Sequence, residues 1–200
     1  MITIDQIRNR LAVLPEPIAA ADHRSPTAVA LLLRMDSGGP SVFFIERAFD
    51  DRDPWSGNIG FPGGRLGEED LDLRHAAERE TMEEVGISLV DAERIGRLPD
   101  IVGAHLPVRV ACFVYFMESV GSVNLNAEVN DAFWVPLAML ADPGRQLTTQ
   151  VSFAGDTLDV PAILLPQTGK QVLWGITYRL IVQFINLVSC RSDFPGQGAI

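Results

Sequence analysis

The sequence predicts an α/β domain, on three observations. Short apolar runs rich in β-branched residues recur on both sides of a helix-length acidic segment. Between them lies a glycine- and proline-rich stretch, and the chain ends in an apolar segment with helical spacing. With 200 residues, 47% hydrophobic and 21% charged, one sizeable core can form, and no linker, repeat or low-complexity tract divides the chain. The expected organisation is a helical lead-in over 1–23, one domain over 24–190 and a tail over 191–200.

The elements follow in order. Thr3 and Gln6 make a capping box, and Ile7, Leu11 and Leu14 share one face of a short helix that Pro15 and Pro17 stop. Thr27–Met35 and Ser41–Glu46 read as strands of a hairpin around Asp36-Ser-Gly-Gly-Pro40. Asp50–Gly64 holds six glycines or prolines around aromatic residues and reads as an ordered loop. Leu71–Val85 is a helix closed by Gly86. Arg94–Leu98, Val108–Met117 and Phe133–Val135 are strands, and Val151–Phe153 with Leu158–Val160 form a second hairpin around Gly155-Asp156. Trp174–Val188 is the last helix, with Trp174 and Phe184 read as core residues.

Sixteen basic residues against 26 acidic ones leave a net charge of −10, which argues against a non-specific grip on nucleic acid or an anionic membrane. An anionic substrate would need cations between itself and this protein. Cys112 and Cys190 fall in no metal or redox spacing and are expected to be free thiols. The N-terminal segment carries Asp5 and Glu16 and lacks the apolar run of a signal peptide, while Arg179, Gln183 and Asn186 interrupt the apolar C-terminal stretch. A cytoplasmic protein is the expectation.

Glu78, Glu80, Glu83 and Glu84 fall within seven residues, and the last three stand at i, i+3 and i+4 on one helix face. They occupy the final turns before Gly86, at the negative end of the helix dipole, where each anion costs about 0.3–1 kcal/mol. Taken alone, such a run is a solvated face paired with Arg74 and Arg79. Beside Gly63-Gly64, where backbone can approach a ligand closely, the same hard oxygen donors suit Mg²⁺ held jointly with substrate phosphates.

Arg79-Glu80-Thr81-Met82-Glu83-Glu84-Val85-Gly86-Ile87 resembles the second half of the Nudix hydrolase box, R-E-U-x-E-E-x-G-U with U apolar. Every fixed position is present, with Thr81 in place of the aliphatic residue. Fourteen residues separate Gly64 from Arg79, one more than in the pattern, so the upstream acid is open among Glu68, Glu69 and Asp70, with Asp70 favoured. The resemblance implies a Nudix-like α/β/α sandwich with a mixed sheet. It further implies Mg²⁺ or Mn²⁺ held by Glu80, Glu83 and Glu84, and attack of a metal-activated water on a diphosphate. Arg79 can lock a neighbouring carboxylate with its guanidinium fork, or else form a plain surface pair with Glu83.

Gly57, Phe61-Pro-Gly-Gly64, the stretched box and Trp174-Gly-Ile-Thr177 resemble the coenzyme A pyrophosphatase branch, over roughly residues 26 to 190. That branch has an arginine four positions before the first of these glycines; here Asp53 stands there, with Arg52 before it. Gly63 and Gly64 are candidate substrate contacts through their backbone. Arg47 and Arg52 are either phosphate contacts or surface charges, and Trp55 either stacks on a flat group or packs under the loop. The general base is Glu83 or an acid from a later loop, Glu128, whose plainer reading is a solvated loop acid. His23, His75 and His105 do not converge in sequence.

Three function classes stand at this point. The first is a metal-dependent pyrophosphohydrolase of coenzyme A or a related nucleotide diphosphate. The second is a Nudix hydrolase of ADP-ribose, dinucleotides or nucleoside triphosphates. The third is a non-catalytic ligand sensor of the same fold, against which the intact Arg79-Glu80 and Glu83-Glu84 argue. A homodimer is expected, because Ile176, Leu180, Ile181, Phe184, Ile185, Leu187 and Val188 occupy more than one helical face.

Overall fold

The computed structural model describes residues 2–14, 23–50, 56–103, 107–153, 155–167, 169–170 and 172–189. Helix α1 (Ile4–Ala12) starts at Thr3, whose hydroxyl accepts from the Gln6 N–H while the Gln6 side chain returns to the Thr3 N–H, as the capping box predicts. Strands β1 (Ser25–Asp36) and β2 (Gly39–Arg47) form the expected hairpin, with Asp36 opposite Gly39. Two short strands, β3 (Ile59–Gly60) and β4 (Gly63–Arg65), lie inside what reads in sequence as a loop. Three of their five residues are glycine, so pairing rather than propensity creates them: β3 joins β2, and β4 joins β1.

Helix α2 (Leu73–Val85) begins two residues later than expected, because the Asp72 carboxylate accepts the His75 N–H and caps it, leaving Leu71 exposed. Gly86 ends the helix at φ 69°, and its N–H bonds the Met82 carbonyl. Strands β5 (Glu93–Val102), β6 (Val108–Phe116) and β7 (Val129–Pro136) follow, then short helix α3 (Leu137–Leu140), β8 (Gln146–Phe153), β9 (Asp156–Ile163), β10 (Leu173–Trp174) and α4 (Gly175–Ser189). The predicted strands are all present, most of them longer than the apolar runs that signalled them.

The large sheet runs β3-β2-β1-β6-β5, with β4 on β1 and β7 on β2, and among the described residues only β1 and β6 pair in parallel. A smaller antiparallel sheet, β10-β9-β8, completes the fold. Alternation along each central strand divides the core in two. Leu31, Leu33, Phe44, Cys112 and Val114 face α1 and α4, whereas Ala28, Ala30, Leu32, Phe43, Ala111 and Tyr115 face α2. This is the α/β/α sandwich with a mixed sheet.

The α2 face is built of small residues: Ala28, Ala30 and Ala111 on the sheet meet Ala76 and Ala77 on the helix, all fully buried. The helix axis can therefore lie close to the strands. Thr81, the departure from the box, is also fully buried, and its hydroxyl donates to the Ala77 carbonyl at 2.7 Å. A threonine takes an aliphatic position here because the preceding turn satisfies its one polar atom.

Helix α4 buries Tyr178, Leu180, Ile181, Val182, Phe184, Ile185 and Val188 against β5, β9, β10 and α1 of the same chain. Its several apolar faces are thus covered within the chain, and they do not call for a second copy. Ile4, Ile7 and Leu11 join the same core, so α1 is packed onto the rest of the fold. Cys112 is a buried free thiol, as expected; Cys190 lies outside the described residues. Among the described residues no helix is long and apolar enough to cross a membrane.

Gly63 has φ 150°, and a Cβ there would run into the Ala28 carbonyl and the Val29 Cα. Gly63→Ala is expected to destabilise the fold by at least about 2 kcal/mol, read as a drop of roughly 4–8 °C in Tm for a domain of this size. An unchanged midpoint in thermal unfolding would contradict the close β1–β4 contact.

Candidate active site

The box glutamates stand on the last two turns of α2, where four orphan carbonyls and the dipole concentrate negative charge. The chain answers with three local devices. The first is Arg79. Its Nε and Nη2 donate to the two oxygens of Asp70 at 3.0 and 2.9 Å, its Nη1 donates to Glu83 at 3.1 Å, and the same Nη1 lies 3.1 Å from Glu80. The Asp70 side chain is inaccessible to solvent and also accepts the Gly67 N–H, and the Arg79 hydrogen bonds hold its carboxyl down to about 2. Of the three acids left open by the stretched box, Asp70 is the one the arginine grips. Glu69 is two-thirds exposed, 3.7 Å from Arg79, and Glu68 is exposed.

The second device is the glycine strand. Glu84 is 2% exposed, and its Oε2 accepts the Gly63 N–H at 2.9 Å, while Oε1 lies 3.9 Å from the Arg47 guanidinium. Burial pushes the Glu84 carboxyl up to about 7, despite the opposing pull of Gly63 and Arg47, and the charges of Glu80 and Glu128 add to the rise. Glu80 rests directly on Gly64, where a Cβ would collide with its carboxylate, and burial raises its pKa too. Each of the two glycines is demanded by a contact within the chain, Gly63 by Ala28 and Val29 and Gly64 by the Glu80 carboxylate.

The third device is the loop after β6. The Asn124 and Asn126 N–H groups donate to the carbonyls of Val85 and Glu84 at 2.9 and 3.0 Å, satisfying the helix end. Asn126 then takes the Glu128 N–H on its side chain, and the Glu128 carbonyl accepts the Ala48 N–H, both at 2.8 Å. The charge of Glu128 reaches both Glu80 and Glu84. Opposite this loop, β7 carries an extra residue, Asn130, between the partners of Glu46 and Arg47, a bulge beside the residue that faces Glu84.

Of the expected carboxylate trio, Glu80 and Glu84 share the glycine strand, whereas Glu83 is half-exposed and turned to Arg79. Among the described residues no three His, Cys, Asp or Glu side chains stand close enough to hold one ion. Arg52, Asp53 and Trp55 lie outside the described residues, as does His105. His75 lies against Asp70 at 3.2 Å, away from the glycine strand.

Two features escape sequence reasoning. Lys170, in the segment before β10, bonds Glu46 at 2.7 Å and Asp131 at 2.6 Å, tying the small sheet to the β2–β7 edge next to Arg47. A contact across 124 residues has no local signal. Trp174 is not a core residue: it is half-buried, and its indole N–H donates to Asn58 at 3.0 Å, while Thr177 faces Gly60. The Trp-Gly-x-Thr segment and the Gly57–Gly64 loop, far apart in sequence, therefore form one wall.

Comparison with known proteins agrees with this fold. An uncharacterized protein of Schizosaccharomyces pombe is 37% identical over 120 residues, covering 56% of this chain and only 36% of that protein. The chain thus spans about a third of that relative's length. The mitochondrial coenzyme A diphosphatase NUDT8 of Mus musculus is 28% identical over 161 residues, covering 76% of this chain and 73% of that protein. The crystal structure of a MutT/nudix family protein from Enterococcus faecalis shares the fold, with a TM-score of 0.56 at 13% identity over 96% of this chain and 77% of that one. Residues 24–154, which hold the glycine strand, the acidic helix and the Glu128 loop, match the NUDIX domain, and the chain belongs to that family.

Proposed function

We propose that the protein is a divalent-metal-dependent Nudix pyrophosphatase that cleaves the phosphoanhydride of coenzyme A or a related adenosine diphosphate derivative. One observation carries the reading: a fully buried carboxylate, Glu84, is fixed by the Gly63 N–H beside Glu80 and Gly64, at the end of a helix. A carboxylate pushed up to about 7 by burial is one that a nearby cation would keep ionised. The candidate donors here, Glu80, Glu83 and Glu84, are all carboxylate oxygens, the chemistry of Mg²⁺ or Mn²⁺. Glu80 and Glu84 would hold the ion, with Glu83 joining once it leaves Arg79. The working unit is taken as 24–190, since β9, β10 and α4 share the core of the large sheet.

A bound cation would neutralise phosphate oxygens and make water a better nucleophile. The residues of the chain then divide the remaining work. Arg79 holds Asp70 and restrains the box acids in a fixed array. The bare backbone at Gly63 and Gly64 lets a phosphate lie close to the carboxylates. Arg47, 3.9 Å from Glu84, is the cation best placed to meet a phosphate at this edge. Glu128, an exposed acid whose charge reaches Glu80 and Glu84, lacks the Arg79 bond that engages Glu83, which favours it as the acceptor of the proton from water.

The coenzyme A assignment leans on the Gly57–Gly64 loop, the Trp174–Thr177 segment and the likeness to NUDT8. A second reading, hydrolysis of ADP-ribose-like diphosphates, is favoured by Asp53, an acid where the branch has arginine and one that would repel a 3′-phosphate.

Metal affinity should fall as pH drops below about 7, since the ion must displace the Glu84 proton, by up to about tenfold per pH unit. Calorimetric titration with Mn²⁺ from pH 6 to 8 reads this, and Glu84→Gln should flatten the dependence. The same variant keeps the acceptor for the Gly63 N–H. Because a carboxyl raised above its ordinary range weakens the folded state as pH rises from about 4.5 through 7, Glu84→Gln should melt higher than wild type without metal at pH 8. It should also lose about two orders of magnitude in turnover. A pH-independent Mn²⁺ affinity in the wild type would contradict the role of Glu84.

Comparing kcat/KM for coenzyme A and its 3′-dephospho form separates the two substrate readings. A preference of about tenfold for the 3′-phosphorylated form, about 1.4 kcal/mol, is expected for coenzyme A. A clear preference for ADP-ribose over both would overturn it.

A further inference from the structure

Among the described residues, one cavity opens at the end of α2 and a smaller one beside the glycine loop. The larger, about 670 Å³, lies beyond Gly86 and is lined by the acids Asp91, Glu93 and Glu118; it includes no residue of the glycine strand. The smaller, about 410 Å³, lies between the Ser56–Asn58 turn, strand β8 and Trp174, with Gln150, Val151, Ser152 and Val172 completing it.

We infer that this smaller groove is the subsite for the uncharged, amide- or ring-bearing group that the diphosphate substrate carries, and that the Trp174–Asn58 hydrogen bond shapes its floor. The inference rests on the pyrophosphatase reading and adds to it the position and chemistry of the moiety recognised.

The lining decides the chemistry. In a chain of net charge −10, with 21% charged residues, the seven described residues that line this groove are all uncharged. Against those seven, a phosphate would lose water with no cation in return. Four of the seven, Ser56, Asn58, Gln150 and Ser152, carry neutral donors and acceptors, and Val151, Val172 and Trp174 supply apolar surface. This is the mixture that fits a pantetheine-like chain or a purine ring, and it is wrong for a free phosphate.

The Trp174–Asn58 pair gives the groove a fixed polarity. An indole N–H only donates, so the 3.0 Å contact identifies the Asn58 atom facing it as the carbonyl oxygen. The amide NH₂ is then the edge that Asn58 offers to a ligand. Gly60, opposite Thr177, holds the two segments close on the same side.

Position links the groove to the chemistry. The Asn58 backbone carbonyl accepts the Arg47 backbone N–H at 3.0 Å, and the guanidinium of that arginine approaches Glu84. Asn58 is also five residues before Gly63, whose N–H holds Glu84. The chain between them spans at most about 18 Å, within reach of a group tethered to a diphosphate at the glycine strand.

Two probes, adenosine and pantetheine, distinguish the ring from the chain. With metal-free protein, the Trp174 indole resonance, identified by its loss in Trp174→Phe, is expected to shift on adding one of them. Ser152→Trp fills the groove from an exposed strand position, and it should remove that shift and lower kcat/KM for the diphosphate bearing the same group by about tenfold, through KM. Gln150→Trp, on the same face of β8, gives a second test should the first variant fold poorly. If neither probe moves the Trp174 resonance, or if a folded filling variant leaves both the shift and KM unchanged, the subsite is elsewhere. A wild-type protein that hydrolyses no diphosphate would sink the pyrophosphatase reading, while the resonance would still report whether the groove binds either probe.

Discussion

How closely α2 lies on strands β1 and β4 governs the rest of the site. Ala76 and Ala77 touch a sheet surface of alanines, and the strand beside them is glycine at two successive positions. Only that thinness lets the Glu84 carboxylate reach a backbone N–H and the Glu80 carboxylate rest on Gly64. A larger side chain anywhere along this seam would lift the helix and withdraw both acids. Helix packing and acid placement are here one constraint, and the buried threonine of the box shows how tightly it is met: its hydroxyl is turned back into its own helix.

Electrostatics then works against the packing. Four glutamates near a helix C-terminus repel one another and the dipole. Arg79 offsets this by touching Asp70, Glu80 and Glu83 at once, and its own charge is reinforced by the Asp70 hydrogen bonds. The arrangement leaves Glu84 without a full partner, because Arg47 stands 3.9 Å away. The imbalance is local, and it is the kind that clusters at functional sites.

Much of this was legible in the chain. Spacing alone put Glu80 and Glu84 together on the face that meets the glycine strand, although Glu83, expected beside them, turns to Arg79, and the Gly63-Gly64 pair marked a close backbone approach. The grip of Arg79 on Asp70 is also foreshadowed by the box, stretched though it is. Other parts carry no local signal. The β3 and β4 strands contain three glycines in five residues, so no propensity announces them. Trp174 reads as core because indole is large and apolar, and only a partner 116 residues away, Asn58, reveals its N–H at work. Lys170 is likewise invisible until the fold brings Glu46 and Asp131 to it. The apolar faces of α4 look surplus in one dimension and are consumed by four elements of the same chain in three.

The loop from Asn124 to Glu128 has one more consequence. Its backbone is stitched to the last carbonyls of α2, and Glu128 is stitched in turn to Ala48 after β2. Helix, loop and strand end therefore form a single mechanical block that carries Glu80, Glu84, Glu128 and Arg47 together. The wall that Lys170 and Trp174 supply is tied to the large sheet differently, through side chains: the Trp174 indole bonds the Asn58 amide, and Lys170 bonds Glu46 and Asp131. Any breathing that admits a bulky substrate should take place at that second wall, leaving the distances among the acids and Arg47 constant while the mouth of the site changes width.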